Sequence, residues 1–123
     1  MPTVCHFEIP ADDIERAKNF YSKLFGWEIK KFEKHPNYWI FSTKSPDGKP
    51  GITGAIEKRK NVNPNIMCNI CVDSIDKYIA RVEELGGKVL VPKSAVPGVG
   101  YYSYCVDTEG NHFVIWETDA NAG

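Results

Sequence analysis

Two similar segments, about 61 residues apart, make up most of this chain. Each reads as a short apolar strand, an acidic helix start, an amphipathic helix, a glycine and further strands. The offset takes Ile14 to Ile75 and Gly26 to Gly87. An internal repeat constrains architecture more than any single motif does, because each copy is one supersecondary unit. The repeat therefore predicts two βαβββ modules with a functional site in a cleft between them.

The predicted modules cover residues 1–60 and 61–123. Within each, apolar residues recur at helical spacing and predict one helix with one apolar face. These residues are Ile14, Ala17, Phe20, Tyr21 and Leu24 in the first helix, and Ile75, Tyr78, Ile79, Val82 and Leu85 in the second. A strand, a helix and three strands, repeated twice, predict an α+β fold. We expect a curved mixed, mostly antiparallel sheet around the central cleft.

Local signals predict the remaining elements. Asp12 or Asp13 is expected to cap the first helix and Ser74 the second, because a side-chain oxygen can accept from the first-turn amides. The predicted strands are Thr3–Ile9, Trp27–Phe32, Tyr38–Thr43, Gly51–Glu57, Asn65–Val72, Val89–Val91, Tyr101–Val106 and His112–Glu117. The last residues, Thr118–Gly123, are predicted to fray.

Composition excludes several classes of function. The chain carries 15 basic and 16 acidic residues, and this balance does not favour nucleic acid as a partner. No apolar run approaches the roughly 18 residues that span a bilayer, so no membrane partner is expected. The N-terminus lacks a basic segment followed by an apolar stretch, and we predict a cytoplasmic location.

Four cysteines are present, and two of them, Cys68 and Cys71, form a CxxC pair. That spacing can indicate a zinc or redox site. Here the pair lies in a strand-like run, where residues three apart point to opposite faces. We therefore expect Cys68 and Cys71 to be reduced and buried as small apolar side chains.

Several stretches in fixed order resemble a known superfamily. They are His6–Pro10, Asp13–Trp27, Val72–Asp76, Glu84–Gly87 and Asp107–Asn111. Together they are similar to the vicinal oxygen chelate superfamily of glyoxalases, bleomycin resistance proteins and extradiol dioxygenases. Phe25-Gly26-Trp27 and Pro97–Tyr102 most resemble a small glyoxalase-like subgroup.

The resemblance implies a divalent metal, with a His or Glu ligand from the first and last strand of each module. Zinc, nickel, iron and manganese suit such ligands. His6 stands at the first position and Glu57 near the second. The third position falls on Met67, with Asn69 two residues on, and the fourth at about Val114. Since a catalytic metal usually has at least three protein ligands, the predicted metal set (His6 and Glu57) is incomplete.

Strand alternation predicts the residues that line the cleft. His6 and Glu8 are the candidate catalytic pair, because a carboxylate can orient an imidazole as a general base. The candidate ligand-binding residues are Met67, Asn69, His112, Val114 and Trp116. A buried polar network without a ligand would use the same residues.

Two functions from different classes remain open. One is a glyoxalase-like or bleomycin resistance-like protein that binds a small oxygenated or aromatic molecule. The other is a metal-dependent lyase, isomerase or dioxygenase of the same superfamily. In both cases the resemblance and the apolar sheet faces favour a homodimer.

Overall fold

The computed structural model describes the whole chain, Met1–Gly123. The chain divides into two compact units, which we call the first module (His6–Ile66) and the second module (Met1–Cys5 with Met67–Gly123). The elements in chain order are β1 (Thr3–Ala11), α1 (Ile14–Phe25), β2 (Lys30–Lys31), β3 (Tyr38–Phe41), β4 (Thr53–Lys58), β5 (Met67–Cys71), α2 (Ile75–Val82), β6 (Lys88–Val96), β7 (Gly100–Val106) and β8 (His112–Thr118). Neither helix has the length and apolar character needed to cross a membrane.

The first module is a four-stranded mixed sheet with α1 on one face. Its strand order is β2-β3-β4-β1, with β1 parallel to β4 and the other neighbours antiparallel. Helix α1 begins as predicted at Asp13, whose carboxylate accepts from the Arg16 amide at 3.0 Å. The helix ends at Gly26, where φ is 73°. Glycine suits this left-handed position because it has no Cβ to clash.

The core of the first module lies between α1 and the sheet. Ile9, Phe41 and Ile56 are buried there. Gly54 lies beneath this core on β4, where an added Cβ would come within 2.6 Å of the Phe41 ring and 2.9 Å of the Phe7 ring. The absence of a side chain at Gly54 therefore lets two aromatic rings pack directly against the strand backbone.

The second module repeats this arrangement. Its strand order is β5-β8-β7-β6, with β5 parallel to β8 and the others antiparallel. Ile75 of helix α2 is buried against Cys105 and Ile115 of the sheet. Both modules thus share one topology, and the predicted α+β class with two mixed, mostly antiparallel βαβββ repeats is confirmed.

Three residues predicted to lie on apolar helix faces are instead exposed. Phe20 and Leu24 on α1 are each 58% exposed, and Leu85 is 62% exposed. The sheet beneath α1 is covered by Ile14, Ala17 and Tyr21, so the wider apolar stripe extends past it. Helix α2 ends at Val82, before Leu85 can join its face.

Several predicted element bounds are also wrong. Strand β2 is reduced to Lys30–Lys31, whereas β6 extends from Lys88 to Val96. The predicted Ser74 cap makes no side-chain hydrogen bond; Glu117 on β8 accepts from the Ile75 amide at 2.8 Å instead. The C-terminus is not frayed, because Gly98 donates to the Ala122 carbonyl at 2.9 Å and Ala122 is buried.

The prediction that Cys68 and Cys71 are both reduced and buried is wrong. Cys5 and Cys71, both in the second module, form a disulfide with a Cα–Cα distance of 6.0 Å. Cys68 is a free but exposed thiol, and Cys105 is free and buried. The CxxC spacing gave no sign of this bond, because the partner of Cys71 is 66 residues earlier in the chain.

Candidate functional site

Strand β1 separates apolar from polar side chains in the first module. Phe7 and Ile9 pack into the core beneath α1. His6 and Glu8 alternate with them and therefore lie on the opposite face, which we call the polar face. The parallel register places Thr53 of β4 beside His6. Two strands thus place polar side chains side by side on a surface that the helix does not cover.

A continuous hydrogen-bonded chain crosses the polar face. Thr53 Oγ1 lies 2.6 Å from His6 Nδ1, and His6 Nε2 lies 2.9 Å from the Tyr38 hydroxyl. The Tyr38 hydroxyl donates to Glu8 Oε2 at 2.7 Å. Tyr38 comes from β3, the strand on the far side of β4 from β1. We call these four residues the His6–Glu8 chain.

The donors in this chain have only one consistent direction. Tyr38 has a single hydroxyl proton, and it is given to Glu8. The Tyr38 oxygen must therefore accept from His6, which places the imidazole proton on Nε2. His6 Nδ1 then accepts from Thr53. The chain runs from a hydroxyl near solvent, through a neutral imidazole and a phenol, to a buried carboxyl.

Burial keeps the imidazole neutral. Removal from solvent lowers the pKa of His6 from 6.5 to about 4, because the charged form loses hydration. A neutral ring at physiological pH can donate with one nitrogen and accept with the other. This protonation state is the one that the His6–Glu8 chain requires.

A second buried carboxyl adjoins Glu8. Glu57 is 7% exposed and Glu8 is 5% exposed, and their side chains share a hydrogen bond. Burial raises the pKa of Glu57, although a hydrogen bond from Asn63 partly opposes that shift. Asn63 Nδ2 donates to Glu57 Oε1 at 3.0 Å. A hydrogen bond between two carboxyl groups needs a proton on one of them, so Glu8 and Glu57 share one proton.

The residues at the expected metal positions do not fit a metal. Both ring nitrogens of His6 are within hydrogen-bond distance of hydroxyl groups, and Glu57 is bonded to Asn63 and Glu8. No three His, Cys, Asp or Glu side chains converge into a group that could hold an ion. Metal coordination would require the His6–Glu8 chain to come apart.

The second module has a different surface on its corresponding face. Asn69 pairs with Val114 across β5 and β8, and Val114 pairs with Tyr104 of β7. In the next row Trp116 pairs with Tyr102. Since directly paired residues share a face, Asn69, Val114 and Trp116 lie on one face of the sheet, and we call this surface the aromatic face. Met67 alternates onto it from β5 and is buried, and His112 lies on β8 two residues before Val114.

Strand pairing matches the residues of the two modules more accurately than the sequence offset of about 61 residues does. Glu8 pairs with Ala55, and its counterpart Asn69 pairs with Val114. In the second module the last strand is therefore shifted by two residues from the position that an offset of about 61 residues gives. Trp116 consequently occupies the position that Glu57 holds in the first module. Glu117, the nearest acid, faces α2 and caps it.

Sequence reasoning missed three members of the polar face. Thr53, Tyr38 and Asn63 come from strands and a loop far from His6 along the chain. Alternation could have placed Thr53 on the face of Glu57, two positions from Ala55. Asn63 had no comparable signal, because it lies in a polar loop after β4, outside any periodic segment.

The comparisons with known proteins agree with this architecture. A sequence model of the Glyoxalase/Bleomycin resistance protein/Dioxygenase superfamily matches residues 3–115. A glyoxylase-like domain-containing protein of Didymella fabae is 34% identical over 119 residues, covering 88% of each chain. The putative glyoxylase CFP32 of Mycobacterium tuberculosis is 25% identical over 94% of this chain, which spans only 46% of that protein.

A solved structure shows the same fold at low sequence identity. A superfamily member from Vibrio splendidus superposes with a TM-score of 0.69 at 14% identity, covering 95% of this chain and 99% of that one. The family model, the fungal relative and the repeated βαβββ topology agree. This chain belongs to the Glyoxalase/Bleomycin resistance protein/Dioxygenase superfamily.

Proposed function

We propose that this protein binds a small oxygenated molecule at the polar face of the first module, without a metal at His6 and Glu57. The His6–Glu8 chain is the observation that carries the proposal. Both nitrogens of His6 are hydrogen-bonded to hydroxyl groups in it, so the ring serves as a hydrogen-bonding group and not as a metal ligand. Hydroxyl, imidazole and carboxyl groups suit the carbonyl or hydroxyl oxygens of a small ligand.

A ligand would approach the His6–Glu8 chain at its solvent-facing end. Thr53 is exposed and His6 is partly exposed, whereas Glu8 is buried. A ligand oxygen that arrives at this end meets the Thr53 hydroxyl and the edge of the His6 ring. The buried carboxyl groups behind them hold the ring in one tautomer.

The His6–Glu8 chain also supports proton transfer, which is the second candidate function. If a ligand proton is taken by His6 Nδ1, the Nε2 proton can pass to Tyr38 and the Tyr38 proton to Glu8. Each group gives up one proton as it gains another, and the proton ends on a carboxyl group. His6 and Glu8 would then be the catalytic residues of a metal-independent isomerase or lyase.

Ligand binding at the polar face is tested with Tyr38→Phe. Small α-keto acids and β-diketones, beginning with pyruvate and acetylacetone, are titrated while the melting temperature is measured. We expect a rise for the wild type, because a ligand that binds only the folded state stabilises it. Tyr38→Phe removes one hydroxyl and is expected to weaken binding about tenfold.

The matched control is Tyr21→Phe, which removes the same atom from the helix side of the sheet. It should bind each probe as tightly as the wild type. Equal weakening in both variants, or unchanged binding in Tyr38→Phe, would refute the proposed location.

The metal-dependent lyase, isomerase or dioxygenase function makes the opposite prediction at His6. It needs that ring to leave Tyr38 and Thr53 and to join ligands that the structure does not bring together. Elemental analysis after dialysis separates the two. Stoichiometric zinc, nickel, iron or manganese that is lost in His6→Ala would overturn the metal-free proposal.

Assembly and location remain predictions. A homodimer is expected, and equilibrium sedimentation at micromolar concentration would disprove it by showing a monomer. A cytoplasmic location is opposed by the Cys5–Cys71 disulfide, because such bonds persist mainly in oxidising compartments.

A further inference from the structure

Helix α1 carries an apolar row that the sheet beneath it does not cover. Phe20 and Leu24 are each 58% exposed, and they stand four residues apart. Residues at this spacing are neighbours on a helix surface, so the two side chains lie side by side. A contiguous apolar row, unlike a single exposed side chain, indicates a surface that contacts another molecule.

The exposed Phe20 ring is supported from behind by a series of aromatic rings. It meets Tyr21 edge to face at a centroid distance of 5.2 Å, and Tyr21 stacks on Trp27 at 5.5 Å. Trp27 in turn stacks on buried Phe41 at 4.3 Å. Phe20 is therefore a rigid anchor, and such anchors lose little freedom on binding and are typical of binding hot spots.

The apolar row lies in an open groove along α1 with a volume of about 510 Å³. Its lining residues are all exposed, and we call them the α1 groove: Arg16, Asn19, Phe20, Lys23 and Leu24. This lining includes two cations and no acid, although the chain as a whole has a net charge of −1. Arg16 and Lys23 stand two helical turns apart, which is about 10.5 Å along the axis.

Both cations of the α1 groove are available to a partner. The Arg16 side chain is 76% exposed, and its guanidinium reaches the Asp13 carboxylate only at 4.0 Å. An exposed pair at that distance is weak, because water screens it. None of the ion pairs in the structure includes Lys23.

We propose that the α1 groove binds an acidic amphipathic helix of a partner protein. Apolar side chains of that helix pack on Phe20 and Leu24, and carboxylates two turns apart pair with Arg16 and Lys23. This inference goes beyond the function proposed above, because the groove lies on the helix side of the first module and does not use the His6–Glu8 chain.

Size and charge favour a short acidic helix over two other occupants. In a symmetric dimer the basic groove would face its own copy, and each partner of a stable dimer contributes about 20–30 residues. The α1 groove has five. Attachment to an anionic membrane through basic residues uses clusters of about four to eight Lys or Arg, whereas this groove has two.

The test compares two synthetic helices that differ only in the sign of their charge. Each is a capped peptide of about 18 residues, long enough to form a helix in water. Leucines occupy every third or fourth position, alanines fill the rest, and glutamates or lysines stand two turns apart beside the leucines. Fluorescence anisotropy on the full chain should show a Kd below about 100 μM for the glutamate peptide, at least about tenfold tighter than for the lysine peptide. This preference should shrink at high salt.

Two pairs of variants locate the binding. Lys23→Glu should weaken the glutamate peptide about tenfold and strengthen the lysine peptide. Lys88→Glu makes the same change of charge at an exposed position of β6 and should alter neither. Phe20→Ala should weaken both peptides about tenfold, because both need the apolar anchor. Leu85→Ala removes an exposed leucine of the second module and should weaken neither.

Several outcomes would overturn the proposal. They are the absence of binding by the glutamate peptide at about 1 mM, equal affinity for the two peptides, and equal weakening by Lys23→Glu and Lys88→Glu. Vesicles of phosphatidylserine that bind the wild type but not Lys23→Glu, without peptide binding, would assign the groove to a membrane. A dimer that is lost in Phe20→Ala would assign it to a second copy. Tyr38→Phe should leave peptide binding unchanged, which separates this proposal from the earlier one.

Discussion

The two modules share a topology but differ in the chemistry of the sheet faces that their helices leave uncovered. In the first, His6 and Glu8 of β1 lie beside Thr53 and Ala55 of β4. In the second, Met67 and Asn69 take the places of His6 and Glu8, and Trp116 takes the place of Glu57. The fold requires only that side chains alternate along each strand and that those beneath each helix are apolar. The other side of each sheet is therefore free to differ, and it has become polar in one module and aromatic in the other.

The modules also differ in what stabilises them. Only the second contains a disulfide, Cys5–Cys71. The helix of the first is capped by its neighbour Asp13, whereas the helix of the second is capped by Glu117 from β8. The first module thus depends on local signals, and the second on residues brought together by folding.

The disulfide should have the largest effect on stability. It closes a loop between residues 66 positions apart, for which chain entropy predicts a stabilisation of about 4 kcal/mol. Urea unfolding of the Cys5→Ser, Cys71→Ser double variant should show this loss, and reduction of the wild type should reproduce it. Cys68→Ser, which removes the exposed free thiol, is the control and should stay near the wild-type value. If reduction left the urea midpoint unchanged, the disulfide would not distinguish the stability of the two modules.

His6 should make stability depend on pH. Its folded pKa, about 4, is below its usual 6.5, so the unfolded chain binds more protons between these values. Stability should therefore fall as pH decreases from about 6.5 to about 4, by up to about 3 kcal/mol. Urea unfolding at a series of pH values should show a flatter curve for His6→Gln.

Glu57 should make stability depend on pH in the opposite direction, and it therefore serves as a matched control for His6. Its folded pKa is raised above 4.5, so the folded chain binds the extra proton and stability falls as pH rises above that value. Glu57→Gln keeps the hydrogen bonds of a neutral carboxyl without the ionisation, and should remove this loss. Identical pH curves for the wild type and both variants would show that the polar face is not as buried as described.

The helix caps should have smaller and unequal effects. Asp13→Ala is expected to cost about 1 kcal/mol, because it leaves the Arg16 amide without its acceptor. Glu117→Ala should cost a similar amount through the Ile75 amide. Ser74→Ala should cost clearly less, since Ser74 makes no side-chain cap hydrogen bond. Unfolding free energies of the three variants test whether α2 really depends on β8.

The exposed apolar residues of the two helices should contribute least. Leu24→Gln and Leu85→Gln are each expected to change stability by less than about 0.5 kcal/mol in dilute protein. Ile56→Ala, at a fully buried position, should cost about 3 kcal/mol and serves as the positive control. A large loss at Leu24 would mean that α1 packs against something in solution.

The sequence predicts the fold well because its signals are local and repeated. Alternation along β1 places His6 and Glu8 on one face, and helical spacing places Ile14 and Tyr21 on another. The exposed Phe20 and Leu24 could not be distinguished from these by spacing alone, because the width of the covered stripe depends on the sheet beneath it.

The candidate site was only partly predictable because its contacts are distant in sequence. Alternation identified His6 and Glu8, yet Tyr38, which joins them, comes from another strand. The pairing of Cys5 with Cys71 required the register of strands, since cysteine positions alone do not give connectivity. The two-residue shift that places Trp116 opposite Cys71 also appears only when β5 and β8 are paired.

The disulfide gives the chain the connectivity of a closed ring with two tails. The entire first module, His6–Ile66, is strung between Cys5 and Cys71, so both of its ends are joined covalently to the second. A single protease cut after exposed Lys60 would therefore release nothing while the bond is intact. The two fragments would separate only after reduction, so a protease cut in this loop becomes destructive only under reducing conditions.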